Sequence, residues 1–295
     1  IGIKGANLQI LFKNSKFTDF CSIILESEYE TDDVDNIVNL IPLNKGSRSE
    51  KIFLFHSSSG EVASYIYFAE KLDADVYGVP APYSINVNSL KELAGIYVND
   101  IRKLQPKGPY LLAGWSYGAF LIKEASIILK DLNEEVVLMF IDPVCQSDFT
   151  FENNASKLRL LSKGPINIPL PENFDDIDEK KQLDVFIENA LSTSLIKKNN
   201  IKDVKKWVKQ IGDLFEILNK YSQSEQPSFP SLYISCLDRP SYWTPPEKEW
   251  QNWISKSEYH SLNISHWNLM EDENTLDTLA KLFHSWVDKN KVIGG

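Results

Sequence analysis

Gly114-Trp115-Ser116-Tyr117-Gly118 is the stretch from which the fold is read. Ahead of it lies the apolar run Tyr110–Ala113, and behind it Ala119–Asp131 carries apolar residues at helical spacing. Strand, G-x-S-x-G and helix in that order are the context of a nucleophile elbow. The reason is steric. Glycines on either side let the backbone cross closely, and the strained turn lifts the serine oxygen to the carboxyl end of a sheet. The helix behind points its first amides at the same place, which favours developing negative charge. By itself the Gly-Ser-Gly spacing also fits an ordinary turn, so the surrounding rhythm has to carry the assignment.

That rhythm is present on both sides. Lys51–His56 is a short apolar run ended by Ser57-Ser58-Ser59-Gly60, which reads as a buried strand entering a turn. Val62–Leu72 has helical period, and Asp75–Val79 is a strand closed by Pro80 and Pro82. Ser89–Leu104 places Leu90, Leu93, Ala94, Tyr97, Ile101 and Leu104 on one helical face. Val136–Ile141 is a fully apolar strand. Strand and helix alternate from residue 51 to 142, which implies βαβ units and a mostly parallel sheet covered on both faces. Ile37–Leu43 reads as an edge strand, because Pro42 cannot donate to a ladder. The alternation stops after Pro143. Residues 148–228 contain no convincing strand, while Lys180–Leu195 and Ile201–Tyr221 look helical. The sheet resumes at Ser231–Cys236 and Glu258–Ile264, and Leu276–Val287 closes the chain as a helix. The expected fold is an α/β-hydrolase with a helical insertion at about 148–228.

Composition bounds the function. The 295 residues are 43% hydrophobic and 24% charged, ordinary for a globular chain and too apolar for disorder. No apolar run is long enough to span a bilayer. Lys+Arg 31 against Asp+Glu 41 gives a net charge of −10, which argues against nucleic acid or an anionic membrane as a partner. Cys21, Cys145 and Cys236 match neither a disulfide framework nor a zinc pattern, so a cytoplasmic setting is expected. No charged and apolar leader follows Ile1. Residues 1–35, with the acidic stretch Glu26–Asp35, read as a linker or N-terminal extension; residues 36–295 read as the domain.

The four histidines are His56, His260, His266 and His284. In this fold the base comes last in the chain, after the final strand, which selects His266 as partner for Ser116. His260 falls inside that strand, and His284 inside the closing helix. Two aspartates compete to orient the base: Asp142 ends strand 136–141, and Asp238 follows strand 231–236. The residues alone leave that choice nearly even. The oxyanion hole needs two backbone donors. The amide of Tyr117, just after the serine, is one. The other belongs to Ser57-Ser58-Ser59-Gly60, and position selects Ser58.

Pro42-Leu43, Phe53–His56 with Gly60, Tyr77–Pro80, Leu104–Tyr110 and Ala113–Ala119 together resemble the thioesterase domains that end non-ribosomal peptide, polyketide and animal fatty-acid synthases. The resemblance covers roughly 40–145, returns at about 231–287 and is weak between. It implies an α/β-hydrolase with a helical lid at 148–228. It also implies release of an acyl, peptidyl or polyketide chain, by hydrolysis or cyclisation, through a serine acyl-enzyme. The substrate would arrive on the phosphopantetheine arm of a carrier protein, upstream in the same polypeptide, and the domain would bind no cofactor or metal of its own. Synthase-terminal members usually place the acid where Asp142 stands, and stand-alone editing thioesterases where Asp238 stands. The Trp-Ser-Tyr elbow favours the former, so Asp142 is preferred and Asp238 kept as the alternative. Ser57-Ser58-Ser59 departs from the Pro and further Gly of many members. Three other readings are an editing thioesterase that clears stalled carrier proteins, a non-catalytic module that docks a carrier, and a small-ester esterase.

Overall fold

The computed structural model describes residues 40–82, 85–163, 168–192, 201–222 and 229–290, with backbone alone for 201–204. The expected extension at 1–35, and residues 37–39 of the expected edge strand, lie outside the described residues.

Seven strands form one sheet: β1 (Ile41–Asn44), β2 (Lys51–Phe55), β3 (Asp75–Val79), β4 (Tyr110–Trp115), β5 (Val136–Ile141), β6 (Ser231–Asp238) and β7 (Glu258–Ser265). Their order is β1-β3-β2-β4-β5-β6-β7. β1 runs antiparallel to β3 at the edge, where Pro42 is tolerated. The other pairings are parallel. Among the described residues the α-helices are α1 (Ile66–Glu70), α2 (Leu90–Leu104), α3 (Gly118–Asp131), α4 (Asn154–Ser162), α5 (Glu179–Ser192), α6 (Ile201–Asn219), α7 (Glu247–Ile254) and α8 (Glu273–Asn290). None of them is long and apolar enough to cross a membrane.

The central strands are apolar on both faces because both faces are covered. Phe53 and Phe55 of β2 face one core with Leu112, Leu138, Phe140 and Tyr233, closed by α2, α3, α6 and α7. Ile52 and Leu54 face the other with Leu111, Ala113, Met139 and Ile234, closed by α1 and α8. The helix α2 begins where the sequence supplies a cap. The Ser89 hydroxyl accepts from the Glu92 amide at 3.2 Å, while Glu92 accepts from the Asn88 amide at 2.9 Å. Arg102 and Lys103 close the last turn of α2, where positive charge suits the helix dipole.

The insertion between β5 and β6 departs from expectation in one respect. The apolar positions of its two expected helices, Val185, Phe186, Ala190 and Leu191 in one and Trp207, Ile211, Leu214, Phe215 and Leu218 in the other, are too few to predict a core of its own. Ala155, Leu158, Phe174, Phe186, Ile187 and Val208 instead form a small buried cluster beside the main one. The insertion is still not independent, since Ile211, Leu214, Phe215 and Leu218 of α6 belong to the main core. The pattern is consistent: one face of α6 is shared between the two clusters, which welds the insertion to the sheet.

Candidate active site

The register of β4 on β5 sets the site. Trp115 lies opposite Ile141, and the Ser116 amide donates to the Ile141 carbonyl at 3.0 Å. The next residues along the two strands, Ser116 and Asp142, therefore emerge side by side at the carboxyl edge. Both adopt left-handed backbone, with φ of 58° and 40°. Each such residue costs on the order of 1–3 kcal/mol, held by its surroundings. Glycine is needed on either side of Ser116. A Cβ on Gly114 would lie 2.3 Å from the Gly118 carbonyl oxygen, and one on Gly118 would lie 2.7 Å from the Phe55 oxygen. Tyr65 finishes the frame: its hydroxyl donates to the Phe55 carbonyl at 2.7 Å and accepts from the Trp115 amide at 2.8 Å. That clamp holds the ends of β2 and β4 where the elbow begins.

His266 follows β7 directly. Its Nδ1 lies 2.6 Å from Asp142 Oδ2, and both side chains are buried. Nε2 has no hydrogen-bond partner among the described residues. Rings box the imidazole: Trp115 at 5.1 Å between centroids, Trp243 edge-on at 4.8 Å and Trp267 at 4.9 Å. The other Asp142 oxygen accepts from the Cys236 amide at 2.9 Å and from Arg239 Nη1 at 3.2 Å. Burial works against the Asp142 charge, but the bond to His266, the charges of His266 and Arg239 and the Cys236 amide outweigh it. The carboxyl therefore lies below its ordinary value. Asp238, the competing acid, ends β6 exposed. Of the two aspartates it is Asp142 that the fold brings to His266.

Ser116 is 4% exposed, and Tyr117 behind it is the N-cap of α3. On the neighbouring strand end, Ser58 sits half-buried in the turn after β2, where Gly60 takes φ 77°. Among the described residues neither the Ser58 nor the Tyr117 amide has an acceptor. His56 joins the two sides. Its Nδ1 donates to the Ser57 carbonyl at 2.6 Å, its Nε2 meets the Tyr97 hydroxyl at 2.6 Å, and its ring stacks on Tyr117. Burial pushes His56 down to about 4, against the Ser57 bond, so it is neutral. The other histidines stand apart. His260 contacts Glu258 on the half-buried face of β7, and His284 accepts from the Asp73 amide.

The helix α6 lies over this side of the site. Tyr117 donates its hydroxyl to the Leu214 carbonyl at 3.0 Å, and Gln210 donates to the Pro82 carbonyl at 3.0 Å. Sequence reading did not find Arg239, Trp243, Tyr97 or the role of His56. Arg239 carried a signal only in standing beside Asp238. His56 ended the strand next to the oxyanion loop, but nothing in the sequence paired it with Tyr97.

A mostly parallel sheet of this order, a serine in a left-handed turn after β4 and a buried His–Asp pair at the same strand ends define an α/β-hydrolase. The thioesterase-domain family model matches residues 50–287, and the chain belongs to that family. Among its relatives, the polyketide synthase PksR of Bacillus subtilis is 30% identical over 174 residues, 56% of this chain and 7% of PksR. A non-reducing polyketide synthase of Pseudevernia furfuracea is 31% identical over 50% of the chain and 8% of its own length. The chain thus spans less than a tenth of either relative. In fold, a four-domain nonribosomal peptide synthetase bound to AMP and glycine superposes with a TM-score of 0.73 at 18% identity, over 93% of this chain and 21% of the other. The Vlm2 thioesterase domain bound with a dodecadepsipeptide gives 0.61 at 16% identity, over 85% and 97%.

Proposed function

We propose that the domain releases an acyl, peptidyl or polyketide chain from a carrier-protein phosphopantetheine thioester through an acyl-enzyme on Ser116. One arrangement carries this reading: Asp142 holds His266 by Nδ1 and leaves Nε2 without a partner among the described residues, with the imidazole against Trp115, the residue before the elbow serine. His266 Nε2 takes the Ser116 hydroxyl proton as Oγ bonds to the thioester carbonyl carbon. The carbonyl oxygen becomes an oxyanion, received by the amides of Tyr117 and Ser58. The C–S bond breaks, and the departing thiolate takes the proton from His266. Water, or a hydroxyl or amine of the chain itself, then attacks the ester. His266 accepts that proton and returns it to Ser116 as the product leaves.

The insertion serves as a lid. Its helix α6 bears on Tyr117 and on the loop at Pro82, close to both proposed oxyanion donors, where it limits water at the acyl-enzyme. The carrier domain is expected within the same polypeptide, as the far greater length of the synthase relatives supports. The buried thiols of Cys145 and Cys236 suit the cytoplasm. Pairing of His266 with Asp142 favours a synthase-terminal domain over a free-standing editing enzyme. The chemistry needs no metal, so chelator should leave turnover unchanged. The test is turnover of a carrier-bound acyl thioester beside an oxygen ester of the same acyl group. Preference for the carrier thioester, abolished in Ser116→Ala, is the expected result. Equal turnover of the free oxygen ester indicates a general esterase, and no turnover of either indicates a docking module.

A further inference from the structure

We infer that Arg239 is a positioning residue of the site, the counter-ion that keeps Asp142 charged and so keeps His266 in the tautomer that can accept a proton. The inference rests on the proposed roles of Ser116, His266 and Asp142, and it concerns a residue outside them.

The guanidinium bridges two neighbouring groups. Nη1 lies 3.2 Å from Asp142 Oδ1, and Nη2 donates to the Pro143 carbonyl at 3.0 Å. It also lies over the Trp243 ring, 5.3 Å from its centroid, and Trp243 meets the His266 ring edge-on. Arg239 thus acts on the pair in two ways, directly by charge on Asp142 and indirectly through Trp243, which packs against His266. Its side chain is 11% exposed and that of Asp142 is 0% exposed, so water scarcely shares in the compensation.

A carboxylate removed from water needs a counter-charge. During proton transfer His266 becomes a cation and supplies one. In the resting state, before transfer, His266 is neutral if it is to act as a base. The remaining cation on Asp142 is then Arg239. The consequence of losing it follows from hydrogen-bond bookkeeping at the imidazole. A charged Asp142 can only accept, so Nδ1 carries the proton and Nε2 is the open acceptor. A protonated Asp142 can donate to Nδ1, which moves the imidazole proton to Nε2 and turns the base toward Ser116 as a donor. That is the wrong tautomer for accepting the serine proton. The other titratable groups facing Asp142 are Cys236 and Tyr233 on β6, both held neutral by burial and by the Asp142 charge. Neither offers a positive charge in place of Arg239. The loop after β6, which begins just past the rival acid Asp238, contributes instead the partner of the acid that follows β5.

Two readouts test this on the whole chain. The first is the labelling rate of Ser116 by a fluorophosphonate probe, followed by intact mass across pH. The second is the low-field proton resonance of the His266 Nδ1–H. Arg239→Gln should slow labelling on the order of 10- to 100-fold near neutral pH. The deficit should shrink as pH rises and Asp142 regains its charge, and added guanidinium should relieve it in Arg239→Gly. The low-field resonance should weaken or shift in Arg239→Gln and return in Arg239→Lys, with the thermal midpoint of the lysine variant near that of wild type. Wild-type labelling rates and an unchanged resonance in Arg239→Gln would overturn the inference. So would an equal slowing at every pH that neither lysine nor guanidinium relieves, since that marks a structural role. Absence of labelling in wild type strikes the proposed function instead, and the resonance then decides the role of Arg239 by itself.

Discussion

Removing one hydroxyl that does not touch the serine should slow the reaction. Tyr97 on α2 is buried, and its hydroxyl meets His56 Nε2 at 2.6 Å. His56 is neutral, and Nδ1 must carry its proton because the Ser57 carbonyl can only accept. Tyr97 is therefore the donor that fixes this tautomer. The Ser57 carbonyl and the Ser58 amide belong to one planar trans peptide, so holding the carbonyl on one side aims the N–H to the other. In Tyr97→Phe the imidazole is free to place its proton on Nε2, and the carbonyl loses its anchor. Leaving the buried Nε2 unsatisfied costs about 1–3 kcal/mol, so stability should fall by that amount. Complete loss of an oxyanion donor costs on the order of 100- to 1,000-fold in kcat. Here the donor is loosened and not removed, so about 10-fold is expected, with KM little changed. Kinetics on an acyl-thioester mimic measure the first quantity. Inhibition by a boronic acid, whose adduct places an oxygen anion in the hole, measures the second and should weaken in parallel. Unchanged kcat and unchanged boronate affinity, in a variant that has lost stability, would refute the peptide-plane argument.

Asp142→Asn should lower kcat by on the order of 1,000-fold or more, while exposed Asp238→Asn should stay within about 3-fold of wild type; kinetics on the two variants read the order directly. In Gly118→Ala the new Cβ would meet the Phe55 oxygen at 2.7 Å and the His56 oxygen at 2.8 Å. Urea denaturation should show a loss of about 1–3 kcal/mol, and acylation should slow because the elbow shifts. Stability should also depend on pH through His56, whose value falls from 6.5 unfolded to about 4 folded. Between those values the unfolded chain binds the extra proton, so stability falls as pH drops, by about 3 kcal/mol from this group. Glu61, raised to about 7 by burial, acts in the opposite sense as pH rises from 4.5. The His56 contribution is therefore read as the difference between wild type and His56→Phe across that window.

Much of this architecture is legible in the chain because its signals are local. The elbow is a steric pattern within five residues, and Val136–Ile141 is apolar throughout because both sheet faces are covered. His266 follows from chain order. What decides between Asp142 and Asp238 is not local. Both end strands on the same edge, and what separates them is the bond of His266 to Asp142, a contact between residues 124 positions apart. Arg239 and Tyr97 escaped notice for the same reason, since each meets a residue in a distant element. The helices α4 and α7 were missed because they are short, and each buries only two apolar side chains: Ala155 and Leu158 in one, Trp250 and Trp253 in the other.

The account stands on Ser116 as the atom that carries the acyl chain. Intact mass of the protein after incubation with an acyl-thioester mimic tests it directly, with the modified peptide located by fragmentation. Wild type should gain one acyl mass, on the peptide that contains Ser116. Ser116→Ala should gain none, while His266→Ala should acylate at least 1,000-fold more slowly. Acyl mass retained by Ser116→Ala, or found on another residue of the wild type, would contradict the claim.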